Sequence, residues 1–328
     1  MMFSTPFIQT IFNYLPTEID VLRLDAMHDV VSGNKWFKLK YYLQEAKAKG
    51  FKTIATFGGA YSNHIVATAF AARVSGFRSI GIIRGEEPKI LSHTLKNAME
   101  YGMQLHFVSR ENYRDKTSIQ SQFGNVFWIA EGGFGIEGAK GAGEILDNVV
   151  LERYTHIIAA VGTGTTIAGI IKKCLPEQMV IGVSVMKSSR IISSTEDNEY
   201  AEDILSGKKN RCEAANEKNM RTKNNDDLLP QILSLLNKEE QQKNFELLHE
   251  FHFGGYAKKT NELISFINKT HDSCGLPLDF VYTAKAFYAL TNLVEQEKIP
   301  LRSKILFIHT GGLQGNLSLP RGTLSFLK

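Results

Sequence analysis

Cysteine is scarce. The 328-residue chain has three, Cys174, Cys212 and Cys274, far apart and odd in number. Such a set builds neither a disulfide framework nor a tetrahedral zinc site, so no metal is expected, and it suits a reducing compartment. No apolar run approaches the roughly 18 residues that a membrane helix needs. The opening "MMFSTPFIQTIFNYL" lacks a basic lead and a small-residue cleavage site, which makes the cytoplasm the expected location. An excess of one charge is missing too: 38 basic and 34 acidic residues leave a formal +4. That balance gives no reason to expect nucleic acid or a membrane as partner, while small anions stay open. Apolar residues are abundant, at 43%. They allow a sizeable core, and the length suggests about two domains of roughly 100–200 residues each.

Short apolar runs alternate with helical patterns along most of the chain. "KTIATFGG", "SIGIIRG", "QLHFVS", "NVFWIA", "THIIAAVG", "MVIGVSV" and "KILFIHTGG" read as strands. Amphipathic stretches lie between them. Near-continuous apolar strands separated by helices indicate βαβ units and a parallel sheet. Residues 187–245 depart from this: the segment is polar and charged, with Lys208, Lys209, Arg211, Lys218, Arg221 and Lys223 among acids. It reads as a solvated insertion, with an RNA or partner site as the alternative.

Three stretches carry chemistry. In "AAVGTGTTIAGI" a strand ends at Gly162, Thr163, Gly164, Thr165 and Thr166 before a helix. Free amides at a helix start, together with hydroxyls, suit a phosphate. Ile167 stands where a dinucleotide fingerprint needs glycine, and the next strand ends without an acid, so a small monophosphate fits better than a dinucleotide. An ordinary tight turn is the alternative. In "GGAYSNH", Ser62 and Asn63 are either helix caps or a carboxylate site. In "VVSGNKWFKLKYYL", Lys35 sits at a helix start, where a cation is disfavoured. It is either a solvent-facing lysine or an amine kept unprotonated for Schiff-base chemistry with an aldehyde cofactor.

Together these stretches resemble fold-type II pyridoxal-phosphate enzymes of the 1-aminocyclopropane-1-carboxylate (ACC) deaminase and D-cysteine desulfhydrase family. The motifs are "SGNKWFKLKYYL", "GGAYSNH", "VGTGTT" and "VYTAKA" with the upstream "FGGYAK", and the resemblance runs from about residue 20 to the C-terminus. It implies an α/β fold of the tryptophan synthase β type, with two α/β domains, mainly parallel sheets and pyridoxal 5'-phosphate between them. Residues 44–136 would form the smaller domain. Residues 1–43 and 137–328 would form the larger, cofactor-binding one, with the polar insertion near 187–245. A homodimer acting on a small amino acid is the implied assembly.

The resemblance also assigns roles. Lys35 would hold the cofactor covalently and move protons. Asn63 would face the phenolic oxygen, and Gly162 to Thr166 would cup the phosphate. Ser62, Asn63 and His64 would receive the substrate carboxylate. Tyr256 and Tyr282 would line the substrate side, and Thr283 would face the ring nitrogen. A hydroxyl there, where ACC-opening relatives have glutamate, favours a D-cysteine desulfhydrase-like elimination over ACC deamination. Two residues depart from the family pattern: Leu24 stands between Arg23 and Asp25, and Phe37 replaces an arginine. Threonine dehydratases and cysteine synthases usually carry Ser-x-Lys-x-Arg and Ser/Thr-x-Gly-Asn instead. A non-catalytic binding protein would not need Lys35, Asn63, Tyr256 and Tyr282 together.

Overall fold

The computed structural model describes residues 4–11, 17–28, 31, 33–187 and 228–327. Two sheets organise them. In the larger, β1 (Phe7–Ile11) pairs antiparallel with β2 (Ile19–Arg23). From β2 the sheet continues, all parallel, through β10 (Ile305–His309), β7 (His156–Val161), β8 (Met179–Ser184) and β9 (Phe245–Leu248). The smaller sheet is parallel throughout, in the order β5 (Met103–Val108), β4 (Arg78–Arg84), β3 (Thr53–Gly59), β6 (Phe127–Ile129). The fold is α/β with mainly parallel sheets. All five residues of β10 are buried, as a strand covered on both faces requires.

Helices cover the sheets. They are α1 (Asn34–Ala48), α2 (Asn63–Val74), α3 (His93–Glu100), α4 (Lys116–Ser121), α5 (Ile136–Gly143), α6 (Thr165–Lys173), α7 (Leu228–Leu233), α8 (Asn261–Cys274) and α9 (Thr283–Glu295). One core joins α8 and α9 to the larger sheet through Ile267, Phe287 and Leu290 against Val21, Ile158 and Phe307. A second lies on the other face, with Ile167, Ile170, Leu228 and Ile232 against Ile157 and Ile308. Helix α1 crosses residue 44 unbroken, and its Leu39, Tyr42 and Leu43 share a core with Ile54 and Ile129 of the smaller sheet and Phe70 of α2. A cut at residue 44 therefore divides one helix.

The described C-terminal part of the expected polar insertion, 187–245, is packed against the fold. Leu228, Ile232, Leu235 and Leu236 belong to the second core, and β9 forms a sheet edge. These apolar residues are helical neighbours that pack inward, which the surrounding charge obscures. The basic cluster from Lys208 to Lys223 lies outside the described residues. Among the described residues no helix is long and apolar enough to cross a membrane.

In both sheets the carboxyl ends of the central strands open toward one cavity. Gly59 ends β3, Arg84 ends β4, Val161 ends β7, and the loop from Thr310 follows β10; all line it. Ligands of open α/β sheets bind at such ends.

Candidate active site

The lysine turn is built by close packing. Gly33 has φ 80°, and a Cβ on it would lie 1.9 Å from the Thr310 carbonyl oxygen, so only glycine fits. Its amide donates to the Leu24 carbonyl (2.8 Å), and the Asn34 amide to the Thr310 carbonyl (3.3 Å). Leu24 itself is fully buried, so this departure from the family pattern serves the core with its side chain and the turn with its carbonyl. The turn thus delivers Lys35 into a cavity of about 600 Å³. Its Nζ donates to Asn34 Oδ1 (2.6 Å) and stands 5.8 Å from the Tyr282 ring centroid. Burial lowers its pKa to about 8, with Asp279 partly opposing.

The glycine-threonine loop lies in the same cavity. Gly164, at φ 79°, caps α6 and leaves the first amides of that helix without side-chain capping. The hydroxyls of Thr163 and Thr165 are 3.2 Å apart, and Thr166 Oγ1 accepts from Asn34 Nδ2 (2.6 Å). Asn34 thereby ties the lysine turn to the loop. A Cβ on Gly164 would meet Ile232 at 2.6 Å, so a side chain there would point into α7 although the glycine backbone lines the cavity.

The loop before α2 forms the opposite wall. Ser62 caps α2 with a long bond from the Ile65 amide (3.4 Å) while lining the cavity, so the cap and the cavity wall are one residue. Asn63 Oδ1 accepts from Gln314 Nε2 (2.8 Å), which leaves the Asn63 amide group as a donor. His64 is different: it is 2% exposed, its Nε2 meets Thr56 Oγ1 (2.8 Å), and its Nδ1 is buried without a partner. Burial, then Lys38 and Lys35, push its pKa to about 3. It is a neutral ring behind the lysines, and at ordinary pH it brings no positive charge to a carboxylate.

Tyr256 and Tyr282 meet across the cavity, with hydroxyls 3.3 Å apart and ring centroids 5.8 Å apart. Burial holds the Tyr282 hydroxyl well above its ordinary pKa, so it is a donor. Thr283 is not on the wall. It is fully buried at the start of α9, where its hydroxyl donates to Asp279 Oδ2 (2.7 Å) and accepts from the Asp279 amide (2.8 Å). The expectation that it faces a ring directly is corrected on this point. Asp279 is engaged by four donors: the amides of Val281, Tyr282 and Thr283 and the Thr283 hydroxyl.

The sequence reading missed several lining residues. Lys38 is buried and donates to the Gly132 carbonyl (3.0 Å), and its pKa is driven well down by burial and then by Lys35. Gly132 abuts Thr163, which puts Lys38 at the rim of the loop. Gly312 leaves bare backbone between Asn63 Nδ2 and Asp279, which a Cβ would approach to 3.2 and 3.3 Å. Gln314 and Arg84 complete the wall. The "HTGG" at 309–312 had the signal that revealed Gly58–Gly59: an apolar strand ending in paired glycines.

A family model described as pyridoxal-phosphate dependent enzyme matches residues 13–311. A putative 1-aminocyclopropane-1-carboxylate deaminase of Thermotoga maritima is 30% identical, covering 90% of this chain and 89% of its own. A bifunctional D-cysteine desulfhydrase/1-aminocyclopropane-1-carboxylate deaminase of Arabidopsis thaliana is 28% identical, covering 91% and 73%. The crystal structure of an ACC deaminase homologue superposes with a TM-score of 0.67 at 24% identity, over 95% of this chain and 91% of that one.

Proposed function

Because the chain belongs to the pyridoxal-phosphate dependent enzyme family, we propose that it converts D-cysteine and one water into pyruvate, ammonia and sulfide. The observation that carries this reading is Lys35: an amine with its pKa lowered to about 8 shares one cavity with an anion-suited loop and a tyrosine pair.

The cavity suits the cofactor on the chemistry of its donors and on its bare backbone. The amides at the start of α6 and the hydroxyls of Thr163, Thr165 and Thr166 would hold the phosphate. Lys38 stands at their rim, and a phosphate dianion there would favour its charged form. The bare backbone at Gly312 leaves room for a flat ring, with the Asn63 amide as donor to its phenolic oxygen. Bound there, pyridoxal phosphate would supply an aldehyde that joins an amine and a ring that draws off an electron pair.

The chain's own groups do the rest. Lys35, when unprotonated, takes the α-proton of the substrate. Ser62 and the α2 amides orient its carboxylate. Tyr282, held protonated, and Tyr256 face the leaving sulfur and donate to it. Thr283 has only a hydroxyl, already donating to Asp279, and the Asp279 carboxylate is saturated with donors, so this turn would offer no free carboxylate to a ring nitrogen. With no carboxylate beside its nitrogen, a bound ring would draw off an electron pair only modestly. It suffices where the substrate has an α-hydrogen and a thiolate leaving group, and it is poorly matched to ACC, which has no α-hydrogen.

The second reading, ACC deamination to 2-oxobutyrate and ammonia, is favoured by the name of the Thermotoga maritima relative. A product assay on ACC and on D- and L-amino acids separates the two. We expect pyruvate and sulfide from D-cysteine and little 2-oxobutyrate from ACC. Efficient turnover of ACC alone would overturn the reading. Borohydride reduction should fix the pyridoxyl group within residues 30–40, and Lys35→Ala should lose nearly all turnover. A chain that binds cofactor and turns over nothing would be the non-catalytic binding protein instead. A cytoplasmic homodimer completes the proposal; sedimentation tests its assembly.

A further inference from the structure

Lys285 is fully buried in the first turn of α9, a place that disfavours a cation twice, by desolvation and by the helix dipole. Among the described residues no carboxylate bonds to it. Its Nζ donates instead to two backbone carbonyls, those of His252 (2.9 Å) and Gly255 (2.7 Å). Both belong to the turn that carries Tyr256. That turn is unusual: Phe253, Gly254, Gly255 and Ala257 have φ of 50°, 89°, 116° and 53°. Two of these are not glycine, and such residues hold positive φ only where their surroundings impose it. The turn's own bonds are few: the Gly255 amide to the His252 carbonyl (3.0 Å) and the Lys258 amide to the Gly255 carbonyl (3.1 Å), with the Gly254 amide on His252 Nδ1 (2.9 Å). Lys285 therefore grips the same two carbonyls that close the turn.

The start of α9 also carries Tyr282, three residues before Lys285, and Tyr282 meets Tyr256 at 3.3 Å. One helix end thus places one tyrosine directly and the other through a lysine. We propose that Lys285 is a positioning residue: it clamps the 252–257 turn onto α9 and so sets Tyr256 against Tyr282 on the cavity wall. The inference rests on the reading that this pair faces substrate. Burial lowers the pKa of Lys285 to about 8, Asp279 partly opposing. The clamp survives that titration, because a neutral amine keeps two N–H donors for two carbonyls.

Lys285→Met keeps the apolar stem and removes the donors; Lys285→Leu, which also lacks donors, serves if the first variant does not fold. Amide hydrogen exchange without cofactor should quicken at least tenfold at Gly255 and Lys258 and stay unchanged in β7 and β10. Unchanged exchange in the turn would overturn the clamp. In the loaded enzyme, Lys285→Met should lower kcat for D-cysteine tenfold or more and leave cofactor affinity unchanged. Combined with Tyr256→Phe it should be no slower than the slower single variant. Losses that multiply would overturn the positioning role, since independent sites add in free energy. The exchange comparison needs neither cofactor nor turnover. Its result upholds or overturns the clamp even if the parent proves inactive on both D-cysteine and ACC.

Discussion

Lys35 shows how placement sets the chemistry of a single residue. Burial and the start of α1 both disfavour its ammonium, and its pKa falls from the ordinary 10.5 to about 8. Between those two values the unfolded chain binds the extra proton, so this lysine makes stability rise with pH from about 8 to about 10.5. Below about 8 its burial penalty is present in full. The functional consequence runs the same way: at pH 7.5 roughly a quarter of Lys35 is free amine, against about one part in a thousand for an ordinary lysine. Competitive labelling of the cofactor-free protein with acetic anhydride, read peptide by peptide, should half-titrate Lys35 near pH 8. A half-point at pH 10 or above would remove burial as the source of its reactivity. The sequence showed this lysine only as a cation in an unfavourable place. Lys38, three residues on and on the same helix, was passed over, because a single helix start does not reveal that Gly132, far along the chain, closes over it.

At the scale of elements, a loop's identity was legible and its facing was not. The spacing of Gly162 to Thr166 between a strand and a helix marked a loop that lines the cavity. A side chain added at Gly164 drives into Ile232 and Leu228 of α7. Overpacking costs about 1–3 kcal/mol, and positive φ for a branched residue adds of order 1–3 kcal/mol more. Gly164→Val should therefore lower the melting temperature markedly, with cofactor affinity falling only as the fold loosens. Thr163→Val separates the two effects. Among the described residues its hydroxyl bonds to Thr165 at 3.2 Å, so little stability is lost, while a donor proposed for the phosphate disappears. Hydrogen bonds to charged groups are worth about 1.5–3 kcal/mol, so the dissociation constant for pyridoxal phosphate should rise roughly tenfold to a hundredfold. A dissociation constant equal to the parent's would reduce the loop to a connection.

At the scale of the molecule, alternating apolar strands and helices made the α/β class legible, and the glycine-marked ends of β3 and β7 were visible as motifs. The edge strand β1 and its neighbour β2 were not: they are five residues each and read like any short stretch. Pairings across the two sheets were equally invisible, because nothing in a linear pattern joins residues 251 apart. Asn63 and Gln314 are such a pair, and they connect α2 to the loop after β10 across the cavity. Removing either side chain loses one bridging hydrogen bond, worth about 1 kcal/mol. Asn63→Ala and Gln314→Ala should then lower stability by similar amounts and raise the substrate KM alike, since each frees the smaller sheet from the larger. They should differ in the cofactor's visible absorbance. Asn63 carries the donor proposed for the phenolic oxygen, so only its loss should shift the absorption maximum or its pH dependence. Gln314→Ala should leave the absorbance in place. Equal spectral shifts in both variants would mean that the bridge sets the absorbance, and Asn63 would have no contact with the cofactor.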